Sequence, residues 1–336
     1  MARTGSEEEL LFAAVRAGDR KALARAITLV ESTRAHDREC AEALLMKLLP
    51  FTGGAVRIGI SGAPGAGKST FIEAFGQHIA GIGRQIAVLA VDPSSRRSGG
   101  SILGDKTRMT ALARNRAAFI RPTPAGTTEG GVARRTRETM LLTEAAGFDV
   151  VVIETVGVGQ AEMAVAEMVD LFLLLVAPGG GDDLQGIKRG VMELADIVII
   201  TKADGDLVQA ATRAAADYRA ALSLMRPKHS GIPVGLFKTS SVTGDGIGEV
   251  WAAVNESWTR MRREGALDRL RREQARAWFW IEVRAVLADA IAADTQIAGQ
   301  AARLETAVVA GKALPDVSAR ALIRVFRGVD GKSAPP

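Results

Sequence analysis

The sequence predicts an α/β protein: a doubly wound, mainly parallel sheet, flanked by N-terminal helices and a C-terminal helical arm. Three observations predict it. Short apolar runs alternate with amphipathic stretches from residue 56 to about 256; those runs are continuous rather than alternating; and the segments on either side keep helical spacing. Continuous apolar runs mark strands covered on both faces, and helices between such strands build a parallel sheet.

The N-terminal segment, 1–55, repeats apolar positions at helical spacing: Leu10, Leu11, Ala14 and Val15, then Leu23, Ala26, Ile27 and Val30, then Leu44, Leu45, Leu48 and Leu49. Gly18-Asp19 reads as a stop followed by a cap, so two or three helices form a small appendage. The strand runs of the central segment, 56–256, are 56–61, 85–92, 117–122, 149–155, 170–177, 196–202 and 233–239. The last segment, 257–336, crowds Arg260, Arg262, Arg263, Arg269, Arg271, Arg272 and Arg276 together, with Glu264, Asp268 and Glu273 interleaved. The acids dilute the positive field, so a grip on nucleic acid is not expected. Trp278, Phe279, Trp280, Ile281, Val283, Val286 and Leu287 then place apolar mass outside the sheet domain, where it needs a partner surface. The better reading is an arm that joins a second copy, giving a homodimer.

Composition narrows the class. Of 336 residues, 47% are hydrophobic and 24% charged, a normal soluble balance. The 43 basic residues nearly match the 38 acidic ones, too mild an excess to argue for nucleic acid. One cysteine, Cys40, permits no disulfide framework and no Cys-x-x-Cys zinc site, and its helical neighbourhood predicts a buried structural thiol. His36, His78 and His229 show no ligand spacing. Met1–Glu9 lacks the apolar stretch of a signal peptide, and the longest apolar run, Leu171–Pro178, is too short to span a membrane. A cytoplasmic protein with no membrane partner is expected.

The chemistry begins at residues 62–69, Gly62-Ala63-Pro64-Gly65-Ala66-Gly67-Lys68-Ser69, with Thr70 next. A buried strand, 56–61, precedes this loop and a helix follows it, the context that makes the pattern a phosphate-binding P-loop. The glycines let backbone N–H groups turn around an oxyanion, and the helix N-terminus adds partial positive charge there. Lys68 supplies a mobile charge for the outer phosphates and Ser69 a hydroxyl for Mg²⁺. The domain is therefore predicted to be a P-loop nucleoside-triphosphatase.

Two strand ends address the base. Thr201-Lys202-Ala203-Asp204 follows one run, one residue off the Asn-Lys-x-Asp loop of GTPases. A carboxylate there accepts from guanine N1–H and the exocyclic amine together; adenine offers no such pair, which leaves the carboxylate unpaired at a cost of roughly 1–3 kcal/mol. Ser240-Ser241-Val242 follows the last strand, where GTPases bond guanine O6 through backbone N–H. Both together favour GTP and GDP over ATP.

Glu154, ending the run 149–155, is expected to serve Mg²⁺, directly or through water, and Gly157 to offer the γ-phosphate a backbone N–H. Asp92 is either a further metal candidate or a cap before Pro93-Ser94-Ser95, and Asp105 a candidate for the metal or its waters. No glutamine follows Gly157 directly; Val158 stands there and Gln160 two further on, so the water-positioning group is unidentified. Gly179-Gly180-Gly181 is either a plain loop, with Asp182 or Asp183 capping the next helix, or a switch through which Gln185 and Lys188 reach the phosphates or a partner. On the switch reading, Lys68, Asp105, Gln185 and Lys188 are the candidate catalytic set.

Taken together, these residues resemble the MeaB/ArgK/MMAA family of G-protein chaperones of adenosylcobalamin enzymes. The similar stretches are Gly59–Thr70, Val91–Met109, Gly126–Arg137, Phe148–Glu162 and Val176–Asp204, which cover most of the sheet domain. The resemblance implies a GTPase that binds methylmalonyl-CoA mutase, couples GTP hydrolysis to loading and protecting its adenosylcobalamin, and dimerises through the C-terminal arm. The chain lacks an Asp-x-His-x-x-Gly cobalamin signature, so the mutase is expected to hold that cofactor. The competing readings are a metal-delivery GTPase of the same fold, for which a Cys/His cluster is missing, and an ATPase or kinase linked to amino-acid transport, for which a Leu-Ser-Gly-Gly signature is missing.

Overall fold

The structure is a computed structural model and describes residues 2–92, 109–124, 131–155, 161–179, 189–225, 228 and 232–327. Three helices come first, α1 (Ala2–Arg16), α2 (Arg20–Glu31) and α3 (Ala35–Leu48). α2 starts where Asp19 accepts from the Ala22 N–H at 2.8 Å, the cap expected after Gly18. The seven strands are β1 (Val56–Gly62), β2 (Ile86–Asp92), β3 (Ala118–Pro124), β4 (Val150–Thr155), β5 (Leu171–Val176), β6 (Ile197–Ile200) and β7 (Gly235–Lys238). Between them the described helices are α4 (Lys68–Gly81), α5 (Thr110–Arg114), α6 (Gly131–Ala145), α7 (Ala161–Ala166), α8 (Arg189–Leu194) and α9 (Val208–Ser223). After β7 come α10 (Ile247–Arg263), α11 (Ala266–Ala293), α12 (Thr295–Val309) and α13 (Pro315–Phe326).

The strands form one sheet in the order β3-β2-β4-β1-β5-β6-β7, and every neighbouring pair is parallel. Every residue of β4 and β5 is buried, which is why their sequences read as unbroken apolar runs. β6 is shorter than its run. The Thr201 N–H still reaches Val176 O at 2.8 Å, but Lys202 turns into the left-handed region with φ 53° and takes the chain out of the sheet. β1 lies centrally: from it the chain goes out to β2 on one side, and from β4 it crosses over to β5 on the other. That reversal opens a crevice at the carboxyl ends of β1 and β4.

Both faces are covered. On one, Phe71, Ile72, Phe75 and Ile79 of α4 and Val250, Trp251 and Val254 of α10 pack with Ile58, Ile60, Val88 and Val152. On the other, α1–α3 contribute Leu11, Val15, Ile27, Val30, Leu44 and Leu48 to a cluster with Ala87, Leu89, Val151 and Ile153. Each such side chain contributes about 1.5–3 kcal/mol on burial. The chain packs as two compact units, 1–274 and 275–336. The helices of 1–55 thus share the core of the sheet instead of standing apart from it. In the second unit α12 and α13 pack on each other, and Phe279 and Trp280 stay exposed with ring centroids 5.4 Å apart. Cys40 is half-buried, not buried: its Sγ lies 3.9 Å from Nε2 of exposed His36, one turn earlier on α3.

The amino edge of the sheet is tied by buried charge. Asp170, fully buried just before β5, accepts from the Arg57 N–H at 2.9 Å, Trp258 Nε1 at 3.1 Å, and Nε and Nη2 of Arg271 at 2.9 and 2.7 Å. Arg271 also donates to Gly53 O at 2.6 Å and Ala55 O at 2.8 Å. Arg57 meets Glu144 through two bonds of 2.7 and 2.9 Å. Burial is the largest single influence on Arg271 and works against its charge, but the bonded Asp170, with Glu144 and Asp268, outweighs it and holds the pKa above the ordinary value. This network joins the residues before β1, the starts of β1 and β5, and helices α6, α10 and α11. Arg271→Met should lower the unfolding free energy by about 3–5 kcal/mol, read as a fall in denaturant midpoint, because it leaves a buried carboxylate without its ionic partner.

Candidate nucleotide-binding site

The site begins where β1 runs out. A Cβ added to Gly62 would lie 2.3 Å from Leu175 O, so no side chain fits there and the chain can turn against β5. Gly67 takes φ 85° as the N-cap of α4 and provides no side-chain cap. The first N–H groups of α4 are therefore left for a ligand, with the positive end of the helix behind them. Lys68 Nζ lies over the same loop, donating to Gly62 O at 2.7 Å and Ala63 O at 3.2 Å. These residues open onto a cavity of about 640 Å³, whose lining includes Pro64, Gly65, Gly67, Lys68, Ser69 and Thr70 of the loop and helix.

Glu154 reaches the same cavity from β4. Its register partners are Ile60 on β1 and Ala90 on β2, so it stands on the strand next to β1, beside the loop. It is buried, and Ser69 Oγ donates to its Oε1 at 3.4 Å. A hydroxyl and a carboxylate converging at the mouth of a phosphate loop form the all-oxygen donor pair that Mg²⁺ favours. Asp92 ends β2, and Val91 pairs with Thr155, so its backbone lies at the same strand ends. Asp105, Gly157, Gln185 and Lys188 lie outside the described residues.

Beside the cavity, three loops meet. Thr201 Oγ1 donates to Ala66 O at 2.7 Å, and Lys202 Nζ to Gly65 O at 2.8 Å, so the segment after β6 braces the phosphate loop from the side. The Ala203 N–H bonds Thr239 O at 2.9 Å and draws the loop after β7 alongside. The Ser240 hydroxyl then donates to Asp204 Oδ2 while accepting from Val242 N–H at 3.2 Å and Thr243 N–H at 3.1 Å. Asp204 and Ser240, read separately in the sequence, form one unit. The Ser240 N–H is used too, on Asp245 O at 3.0 Å. Among the described residues, Ser241 is the one of the three expected O6-binding positions whose N–H has no protein acceptor.

The sequence reading did not assign Thr155, Ala90, Val91 or Thr201 to the site. Thr155, Ala90 and Val91 line the cavity, and Thr201 holds the loop. Thr155 and Thr201 sit at carboxyl ends of strands beside assigned residues, and that position was the available signal.

A family model described as Methylmalonyl Co-A mutase-associated GTPase MeaB matches residues 23–296. The chain belongs to the MeaB family. It is 48% identical over 265 residues to GTPase ArgK of Escherichia coli, covering 79% of this chain and 80% of that one. Against the mouse methylmalonic aciduria type A homolog, mitochondrial, identity is 44% over 330 residues, covering 94% of this chain and 79% of that one. A crystal structure titled LAO/AO transport system kinase superposes with a TM-score of 0.76 at 36% identity, over 96% of this chain and 98% of that one. This MeaB-family chain is a P-loop GTPase, an enzyme that binds GTP and GDP and hydrolyses GTP.

Lys68→Ala should weaken GTP binding about tenfold to hundredfold in calorimetry, the loss of one charge-assisted contact of roughly 1.5–3 kcal/mol. Asp204→Asn should shift preference from GTP to xanthosine triphosphate in competition binding, since the amide donates to the xanthine 2-oxygen where the carboxylate accepted from an amine. A gain in ATP affinity instead would assign the base pocket elsewhere.

Proposed function

We propose that this GTPase binds methylmalonyl-CoA mutase and couples its GTP cycle to adenosylcobalamin loading and protection of the mutase. The observation that carries the nucleotide part is the meeting of Asp204 and Ser240 at the side of the phosphate loop, which favours guanine over adenine. The mutase part is supported by the family description and by the name of the mouse relative.

In this reading the N–H groups at the start of α4 receive the phosphates, and Lys68 leaves its loop carbonyls for the outer phosphate oxygens. A bound Mg²⁺ would supply charge neutralisation at the phosphates. Ser69 and Glu154 hold it, with Asp92 at the neighbouring strand end and Asp105 as further ligands or holders of its waters. Asp204 accepts from the guanine edge, the Ser241 N–H donates to O6, and Lys202 flanks the base. Gly157 addresses the γ-phosphate. Gln185 and Lys188, in the segment after β5, act on the phosphates or on the partner, and hydrolysis is slow alone and faster in the complex. The arm, 257–336, joins two copies through the exposed aromatic surface around Phe279 and Trp280. Among the described residues no helix is long and apolar enough to cross a membrane, and a cytoplasmic location is the reading that fits.

GTP turnover should rise about tenfold or more when purified methylmalonyl-CoA mutase is added, and gel filtration should show a co-eluting complex. No stimulation and no complex would remove the mutase from this reading and leave the GTPase.

A further inference from the structure

Glu162 is a buried acid that the nucleotide site does not use. It is 4% exposed, and among the described residues its Oε2 has no hydrogen-bond partner. A carboxylate oxygen buried without a donor is costly, and such a group persists where another conformation needs it.

The topology says which neighbours it has. A Cβ on Gly59 would lie 3.0 Å from Val165 and 3.1 Å from Val169, so the segment carrying α7 crosses the middle of β1 on that face. The chain enters α7 after leaving the carboxyl end of β4, and by Asp170 it is bonded to Arg57 O at the start of β1. α7 therefore runs antiparallel to β1. Glu162 lies one turn before Val165, about 4.5 Å toward the carboxyl ends of the strands. Ser61 is two residues beyond Gly59, about 6.6 Å in the same direction and on the same face of β1. The backbone of Glu162 thus lies near the level of Ser61, whose buried hydroxyl accepts from Thr155 Oγ1 at 2.8 Å. Ser61 is the last residue before Gly62 opens the phosphate loop, and Thr155 lines the cavity.

We propose that Glu162 is a positioning residue for GTP hydrolysis: its carboxylate takes up the Ser61 hydroxyl in the conformation that binds the γ-phosphate, tying α7 to the phosphate loop through the Ser61–Thr155 pair. Ser61 has a hydroxyl hydrogen to give while it accepts from Thr155, so the three groups form a chain in which each donor has an acceptor. The conformation described here leaves that last acceptor without its donor, and the one that binds triphosphate is favoured by the difference. This inference rests on the cavity being the GTP site.

The test is Glu162→Gln, measured by steady-state GTP hydrolysis, GDP binding, and thermal melting with and without magnesium and a non-hydrolysable GTP analogue. The neutral amide removes the buried charge and keeps the shape. It should lower kcat about tenfold or more, because phosphate and water are held less well. KM and the GDP dissociation constant should stay within about twofold. The melting temperature without nucleotide should hold or rise, and the extra rise caused by the analogue should shrink. A kcat within about twofold of wild type, or a melting temperature that falls equally with and without analogue, overturns the proposal. Should the variant fail to fold, Ser61→Ala carries the test, with the same kcat loss expected and unchanged kcat overturning it. Wild-type protein that binds no GTP overturns the nucleotide-site reading as well; intact GTP binding beside an unaffected Glu162→Gln overturns this inference alone.

Discussion

The carbonyl oxygen of Leu175 and the Cα of Gly62 lie so close that a single added carbon would sit 2.3 Å from that oxygen. This contact sets where β1 can leave the sheet, and the phosphate loop hangs from it. Parallel pairing of β1 with β5 carries the constraint, because Gly62 is the register partner of Leu175. Shift that register by one residue and every side chain on β1 changes face, which the packing on both faces of the sheet forbids. The apolar core thus acts on the chemistry by locking a register, and at Gly62 the register leaves room for bare backbone alone.

From that point the site is assembled by bracing. Thr201 and Lys202 hold the loop carbonyls of Ala66 and Gly65, and the bonded pair Ala203–Thr239 brings Ser240 to Asp204. Groups that bind a ligand are accurate when neighbours fix them in place. Lys202 illustrates the cost of this arrangement: a non-glycine residue at φ 53° is uncommon, and here it aims one side chain at the phosphate loop while Asp204, two residues on, accepts from Ser240.

At the other edge of the sheet the same logic uses charge. Asp170, fully buried, and Arg271, mostly buried, each make several bonds, and their partners come from distant parts of the chain. One edge is thus held by buried charge with several bonds to each group. The opposite edge carries Glu154 beside Ser69, and Glu162 with an oxygen left over.

The sequence alone determined the phosphate loop, the seven strands, the helices around them and the guanine-side segments. Each rests on local rules: glycine where a turn or a close approach demands it, unbroken apolar runs where a strand has two covered faces, and 3.6-residue spacing where a helix has one. Tertiary structure decided what those rules cannot reach. The pairing of Asp204 with Ser240, the bracing by Thr201, the Asp170–Arg271 network and the bond from Thr155 to Ser61 all join residues far apart in the chain. It also decided that the helices of 1–55 share the core of the sheet. Such pairings depend on strand order and register, which follow from closing both layers of the core at once.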